Sequence, residues 1–253
     1  MKLCVSAEMP TGWLEKAQQI KFNDTNLHSV GKMPKDKEYI YNPGAQGLFK
    51  EQIVDLVNSL KSNLIICAST MEQALYCKEN DIRFYFKHYI TSYDELNTVI
   101  ALGAEYALVG APLFFEMKNL KRFNIKIRAI PNLAYFDGYI RENGVLGTWI
   151  RPEDLELYDK YVDTIEFFAE TANKEELLAQ IYLEKKEWLG AMSNIIHNFG
   201  NVNAFNNMFD EDVAKRRLNC GQRCQRTGTC HSCYWALNLA DPEKLKHYDK
   251  ELS

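Results

Sequence analysis

The chain opens on a short apolar run at residues 3–7, and runs of the same kind return at intervals through its first two-thirds. They lie at 38–41, 64–68, 83–87, 106–110, 125–130, 145–150 and 164–168, with a weaker one at 27–30. Most are apolar throughout instead of alternating, the pattern of strands buried on both faces of a parallel sheet. Segments of helical period separate them. Residues 49–60 set Ile53, Val54, Val57 and Leu60 on one face. Residues 70–79 follow a Ser-Thr pair that can cap a helix, and 92–102 open with Ser-Tyr-Asp-Glu, a capping box. Residues 152–161 begin with proline in the first turn and acidic side chains behind it, and 174–188 are amphipathic with Asn173 as the expected cap.

This alternation predicts an α/β fold, a (β/α) TIM-barrel-like domain, complete or incomplete, over residues 1–200. A doubly wound open sheet satisfies the same local pattern, because closure depends on distant strands. Near Ala191 the pattern changes. Residues 194–207 are rich in Asn and Phe and read as an active loop or a packing segment. Residues 201–253 form a cysteine-rich C-terminal segment that ends in a polar tail, DPEKLKHYDKELS.

Composition adds limits. With 253 residues, 46% hydrophobic and 25% charged, the chain suits a domain with a sizeable core. A formal net charge of −4 argues against general coating of DNA or RNA, which needs a concentrated positive field. The N-terminal apolar run is broken by Glu8 and Pro10 and is too short for a signal peptide. No stretch approaches the roughly 20 apolar residues that span a bilayer. The expectation is a cytoplasmic protein with no membrane partner, whose clustered cysteines point to metal or catalysis rather than to disulfides.

That cluster is the sharpest motif. Cys220, Cys224, Cys230 and Cys233 follow the spacing C-x3-C-x5-C-x2-C, and loops this short keep four thiolates close enough to converge on one centre. Gly221, Thr227 and Gly228 supply turns, and Arg217, Arg223 and Arg226 supply charge that offsets a tetrathiolate. Zinc and a 4Fe-4S iron–sulfur cluster both accept four cysteines, and His231 can replace one of them. The other thiols, Cys4, Cys67 and Cys77, are isolated; Cys4 and Cys67 read as small core residues. The radical-SAM spacing, C-x3-C-x2-C in an early loop, is not met.

In a barrel of this class, chemistry sits where strands end. Those positions hold Glu8, Asn42, Ser69, Lys87, His88, Pro112, Asn132, Arg151 and Glu166. Lys87, His88 and Arg151 suit a carboxylate or phosphate, Asn132 a hydroxylated ligand, and Glu8 and Glu166 a base or a partner for those cations. Each, taken alone, also reads as a helix cap or a local pair. Tyr85, Tyr135 and Trp149 read as core ahead of the alternative of lining a pocket, and His28 and His197 receive no role. Neither a G-x-S-x-G elbow nor an H-E-x-x-H helix is present to mark a peptidase.

The stretch GTWIRPEDLELYDKYVDTIEFFAE, preceded by RAIPN and ITSYDEL and followed by the late cysteines, resembles the collagenase-like peptidases, the peptidase U32 family. The resemblance implies a barrel-like iron–sulfur protein. Better-understood branches of that family hydroxylate RNA bases or quinone precursors, so the implied substrate is an RNA base or a small aromatic metabolite. By the same implication Cys220, Cys224, Cys230 and Cys233 are the cluster ligands, although in those branches the ligands are spread more widely along the chain. A zinc-stapled barrel serving as a binding or scaffold protein is the alternative, and a peptidase the third reading.

Overall fold

The computed structural model describes residues 1–25, 36–44, 60, 63–110, 113–133, 148–185, 187–197 and 211–218. Eight parallel strands close into one barrel: β1 Lys2–Ser6, β2 Gln19–Asn23, β3 Glu38–Asn42, β4 Leu64–Ala68, β5 Phe84–Phe86, β6 Tyr106–Leu108, β7 Lys126–Ala129 and β8 Thr164–Glu166. They follow chain order around the wall, and β8 closes on β1 through Lys2↔Thr164, Leu3↔Ile165 and Cys4↔Glu166. The fold is therefore a complete TIM-like α/β barrel, and that last ladder excludes the open sheet.

Two differences from the sequence expectation have physical causes. Gln19–Asn23 is a strand although no apolar run marks it, because Gln19, Lys21 and Asn23 alternate with buried Ile20 and Phe22. Conversely, Thr148, Trp149 and Ile150 are not in a strand; Thr148 Oγ1 donates to the Leu133 carbonyl at 2.7 Å, and Ile150 N–H to the Pro131 carbonyl at 2.8 Å. Further hydrogen bonds come from the Arg217 and Tyr182 side chains to the Trp149 and Ile150 carbonyls, and none of them builds a ladder. The expected strand at 27–30, residues 49–59 of the expected helix, and residues 145–147 lie outside the described residues.

The helices among the described residues are α1 Thr11–Lys16, α2 Met71–Glu79, α3 Tyr93–Leu102, α4 Met117–Leu120, α5 Leu155–Tyr158, α6 Ala172–Glu184 and α7 Glu211–Leu218. Thr70 caps α2 by accepting from Gln73 N–H, and Ser92 caps α3 by accepting from Glu95 N–H. The Glu95 carboxylate reaches back to Thr91 N–H at 2.7 Å, one residue before the cap itself. Gly103 ends α3 at φ +88°, a backbone that only glycine adopts without strain. The segment at 152–161 divides into a 3-10 turn, Pro152–Asp154, and the short α5. The last long helix starts at Ala172, and Thr171 Oγ1, not Asn173, accepts from Lys174 N–H. Among the described residues no helix is long and apolar enough to cross a membrane.

The chain divides into two compact units. One comprises Met1–Val109, Phe123–Ala129 and Val162–Leu177, and so contains all eight strands. The other comprises Gly110–Arg122, Ile130–Tyr161 and the described residues from Leu178 onward.

Candidate functional site

Side chains alternate across each strand, and register partners share a face. One face carries Leu3, Val5, Ile20, Phe22, Tyr39, Ile66, Phe84, Ile127 and Ile165, all buried and almost wholly apolar. The opposite, inward face carries Cys4, Gln19, Lys21, Glu38, Tyr85, Tyr106, Arg128, Thr164 and Glu166. Polar residues that interrupt the apolar strands are therefore gathered inside the barrel.

The floor of that interior is an ion-pair chain. Lys2 Nζ meets Glu38 Oε2 at 2.5 Å, and Arg83 bridges Glu38 at 2.6 Å to Glu105 at 2.5 Å. Lys126 Nζ completes it with Glu105 at 2.6 Å. Burial by itself pushes Glu38 up, but hydrogen bonds from Arg83, Lys2 and Gln19 outweigh it and bring its carboxyl down to about 2. Gln19 ties the floor to the level above: its Nε2 donates to Glu38 and to Tyr106 Oη, each at 3.0 Å, while its Oε1 accepts from Arg128 Nη1 at 2.8 Å.

Above the floor stands a buried charged centre. Arg128 has no solvent exposure, donates from Nε to Glu166 Oε2 at 3.0 Å, and lies 4.7 Å from the Tyr85 ring centroid. Lys21 Nζ approaches the same Glu166 oxygen at 3.9 Å. Burial pushes the Glu166 carboxyl up, yet the charges of Lys21 and Arg128, the Arg128 hydrogen bond and the charge of Lys87 together hold it below the ordinary range. Glu166 in turn raises Lys21 against the opposing effect of burial, so both remain charged. Arg128 Nη2 and the hydroxyl of its register partner Thr164 have no hydrogen-bond partner among the described residues.

At the carboxyl ends of the strands Glu175 joins this centre. It lies in the first turn of α6 and its Oε1 accepts from Ser6 N–H, the last amide of β1, at 2.7 Å. The residues expected at strand ends fall differently. Lys87 is exposed just beyond β5, its N–H bonded to the Ala68 carbonyl at 2.8 Å, and its charge acts on Glu166. His88, also exposed, lies 5.1 Å from the Phe86 ring. Glu8 is exposed after β1, its N–H bonded to Ser6 Oγ at 3.3 Å. Asn42 Oδ1 accepts from Gly44 N–H at 3.3 Å, and Ser69 N–H donates to Gln73 Oε1 at 2.7 Å, both local turn contacts. Pro112 lies outside the described residues.

Asn132 and Arg151 belong to the other unit. Asn132 is buried and its carbonyl accepts from His197 N–H at 2.8 Å. Arg151 is buried in a two-pronged pair with Asp154 and lies 3.3 Å from Glu153, a pairing that fixes the Pro152–Asp154 turn. In the same unit Arg217 of α7 donates from Nη1 to the Trp149 carbonyl at 2.6 Å and stacks 4.3 Å from the Trp149 ring, with Phe115 and Phe114 at 5.4 and 5.8 Å. Its charge faces three aromatic rings. Cys220, Cys224, Cys230, Cys233 and His231, with Arg223 and Arg226, lie outside the described residues, as do His28 and Tyr135. Among the described residues no group of three His, Cys, Asp or Glu side chains gathers to hold a metal ion.

The described cysteines are thiols in the core. Burial raises Cys4, lifts Cys67 to about 11 and takes Cys77 to about 12. A protonated thiol is a poor nucleophile, so burial leaves Cys67 poorly suited to nucleophilic attack.

Lys21, Gln19, Arg128 and Glu175 were not singled out in the sequence. Arg128 left a readable signal, a cation inside the apolar run 125–130. Lys21 left a weaker one, the strict alternation of QIKFN; Glu175, on a helix three-dimensionally opposite β1, left none. No family model and no curated protein matches the chain.

Proposed function

We propose that this protein is a barrel enzyme that binds and modifies its substrate at the carboxyl ends of β1, β2, β5 and β8. The observation that carries the reading is the buried Arg128–Glu166 pair inside a closed barrel, with the half-buried Lys21 approaching it at 3.9 Å. Removing each ion from water costs several kcal/mol, and a core selected for stability alone fills these layers with branched apolar side chains. Paired charges of shifted affinity at the catalytic end of such a barrel mark a functional site instead. Lys87 and His88 extend it to solvent with groups suited to an anionic or hydroxylated ligand.

The reading extends to the cofactor through the sequence. Cys220, Cys224, Cys230 and Cys233 hold an iron–sulfur cluster, and the substrate is an RNA base or a small aromatic metabolite that the protein hydroxylates in the cytoplasm, as the U32-like resemblance implies. Such a cluster would supply electron-transfer chemistry. Purification without oxygen, followed by analysis of iron, zinc and acid-labile sulfide, tests this. Iron and sulfide in equal amounts are expected, lost together when Cys224 and Cys230 are changed to Ser. Stoichiometric zinc without sulfide would replace the cluster by a zinc staple and the hydroxylase by a binding protein.

A further inference from the structure

We propose that Glu175 is the group that exchanges a proton with the ligand at the barrel mouth, whereas Glu166, held by Arg128 and Lys21, stays an anion and orients those cations. The proposal rests on reading the mouth as the substrate site and adds an assignment to it.

The placement follows from the start of α6. Glu175 N–H donates to the Thr171 carbonyl at 3.0 Å, and Lys174 N–H to Thr171 Oγ1 at 3.2 Å, which fixes the first turn. From that turn the Glu175 carboxyl reaches Ser6, and Ser6 is the register partner of Lys21. Glu175, Lys21 and Glu166 therefore share the carboxyl end of the barrel, the end where ligands reach the interior of this fold.

The two carboxyls are held in opposite ways. Glu166 accepts a hydrogen bond from Arg128 at 3.0 Å and has Lys21 Nζ 3.9 Å away. Glu175 is 5% exposed, accepts one neutral backbone N–H, and has no Lys, Arg or His within ion-pair distance among the described residues. A buried carboxyl with one neutral donor is stabilised less as an anion than one bound to a guanidinium with an ammonium nearby. The charged groups that act on it are Lys21 from β2, Glu166 from β8 and Glu8 from the turn after β1. Burial acts most strongly and upward; Ser6 N–H and Lys21 oppose it, Glu166 and Glu8 reinforce it, and the carboxyl ends above its ordinary value. Neighbouring carboxyls driven apart in this way are the usual division between an acid–base group and a fixed charge. In the exchange, Glu175 in its acid form gives its proton to a basic atom of the ligand and becomes a carboxylate that the charge of Lys21 favours. It recovers the proton from the product or from water at the mouth, and no electrons move.

The test is a carboxyl-carbon NMR titration of the full-length protein labelled with 13C-glutamate, in the native chain and in Glu175→Gln and Glu166→Gln. The resonance lost in Glu175→Gln is expected to titrate above free glutamate, and the one lost in Glu166→Gln below it. A Glu175 resonance that titrates at or below free glutamate overturns the proposal. Should Glu175→Gln fail to fold, Glu175→Asp labelled with 13C-aspartate serves, its new aspartate resonance being read against free aspartate. A second titration with saturating 4-hydroxybenzoate separates this proposal from the reading beneath it. A bound probe that leaves the Glu175 midpoint unmoved overturns the proton exchange, whereas failure of the probe to bind the native chain counts against the aromatic substrate and leaves the Glu175 midpoint to decide on the first criterion.

Discussion

Arg128 on β7 donates from Nε to Glu166 Oε2 on β8 at 3.0 Å, deep in the barrel, with neither side chain more than a tenth exposed. Breaking such a pair from one side leaves a buried charge uncompensated. Arg128→Met is expected to cost about 3–5 kcal/mol in urea denaturation. Adding Glu166→Gln should recover part of it, with a coupling above about 0.5 kcal/mol. Strictly additive losses would show that the two side chains do not depend on one another.

The floor network predicts an acid limb in stability. Glu38 is pushed up by burial but brought down to about 2 by Arg83, Lys2 and Gln19. A carboxyl whose folded value is depressed contributes stability above its unfolded value, near ~4.3, and that contribution is lost as pH falls toward the folded value. Thermal melts from pH 7 down to pH 2 should therefore show a decline that Glu38→Gln flattens, with a cost at pH 7 of about 1–3 kcal/mol for the variant. An unchanged acid limb in Glu38→Gln would assign the decline to other groups.

Glu175 predicts the opposite sign. Its folded affinity for a proton is raised, so its stabilising contribution is present at low pH and lost as pH rises through the folded value. Glu175→Gln keeps the neutral form at every pH, and its advantage over the native chain should grow between pH 4 and pH 8 in paired chemical denaturation. A constant offset across that range would contradict the assignment.

Both ends of α3 depend on single residues. Ser92→Ala removes the side-chain acceptor of Glu95 N–H and should cost about 1 kcal/mol. Gly103→Ala places a Cβ at φ +88° and should cost a further ~1–2 kcal/mol, although the space around that Cβ is empty. Calorimetry on both variants and their combination would check this; a neutral Gly103→Ala would mean the C-terminal turn can relax.

Arg217 joins α7 to Trp149 by a hydrogen bond and a stacked guanidinium. Arg217→Ala should cost about 1–3 kcal/mol, combining the cation–π and hydrogen-bond contributions. It should also change the part of the tryptophan emission that Trp149→Phe removes. Arg217→Lys, which keeps the charge but loses the planar stack, should fall between. Identical Trp149 emission in all three would dissociate α7 from that ring.

Much of the wall was legible along the chain because its outward face is apolar and its strands lie in chain order. Leu64–Ala68 is continuously apolar and is a strand at those bounds. The capped starts at Thr70 and Ser92 were legible for a local reason, since a cap needs only its own next three residues. Gln19–Asn23 escaped notice because its inward half is polar, and polarity inside a barrel resembles exposure outside one. Residues 148–150 misled in the opposite sense: Trp149 and Ile150 are buried, but burial does not require a ladder.

The candidate site shows the same boundary. Glu166 and Lys87 were named from their places toward the ends of expected strands, Lys87 closing the run 83–87 and Glu166 lying within 164–168. Arg151 stood at a similar edge, yet Asp154 three residues on holds its guanidinium. By itself the sequence determined most of the alternation of strands and helices, the capped helix starts at Thr70 and Ser92, and the spacing of the four late cysteines. Only the tertiary structure decided that the sheet closes, that Lys21, Arg128 and Glu166 meet inside it, and that Glu175 folds back to Ser6. The reason is distance along the chain: Ser6 and Glu175 are 169 residues apart, and only barrel closure brings β8 and the helix behind it against β1.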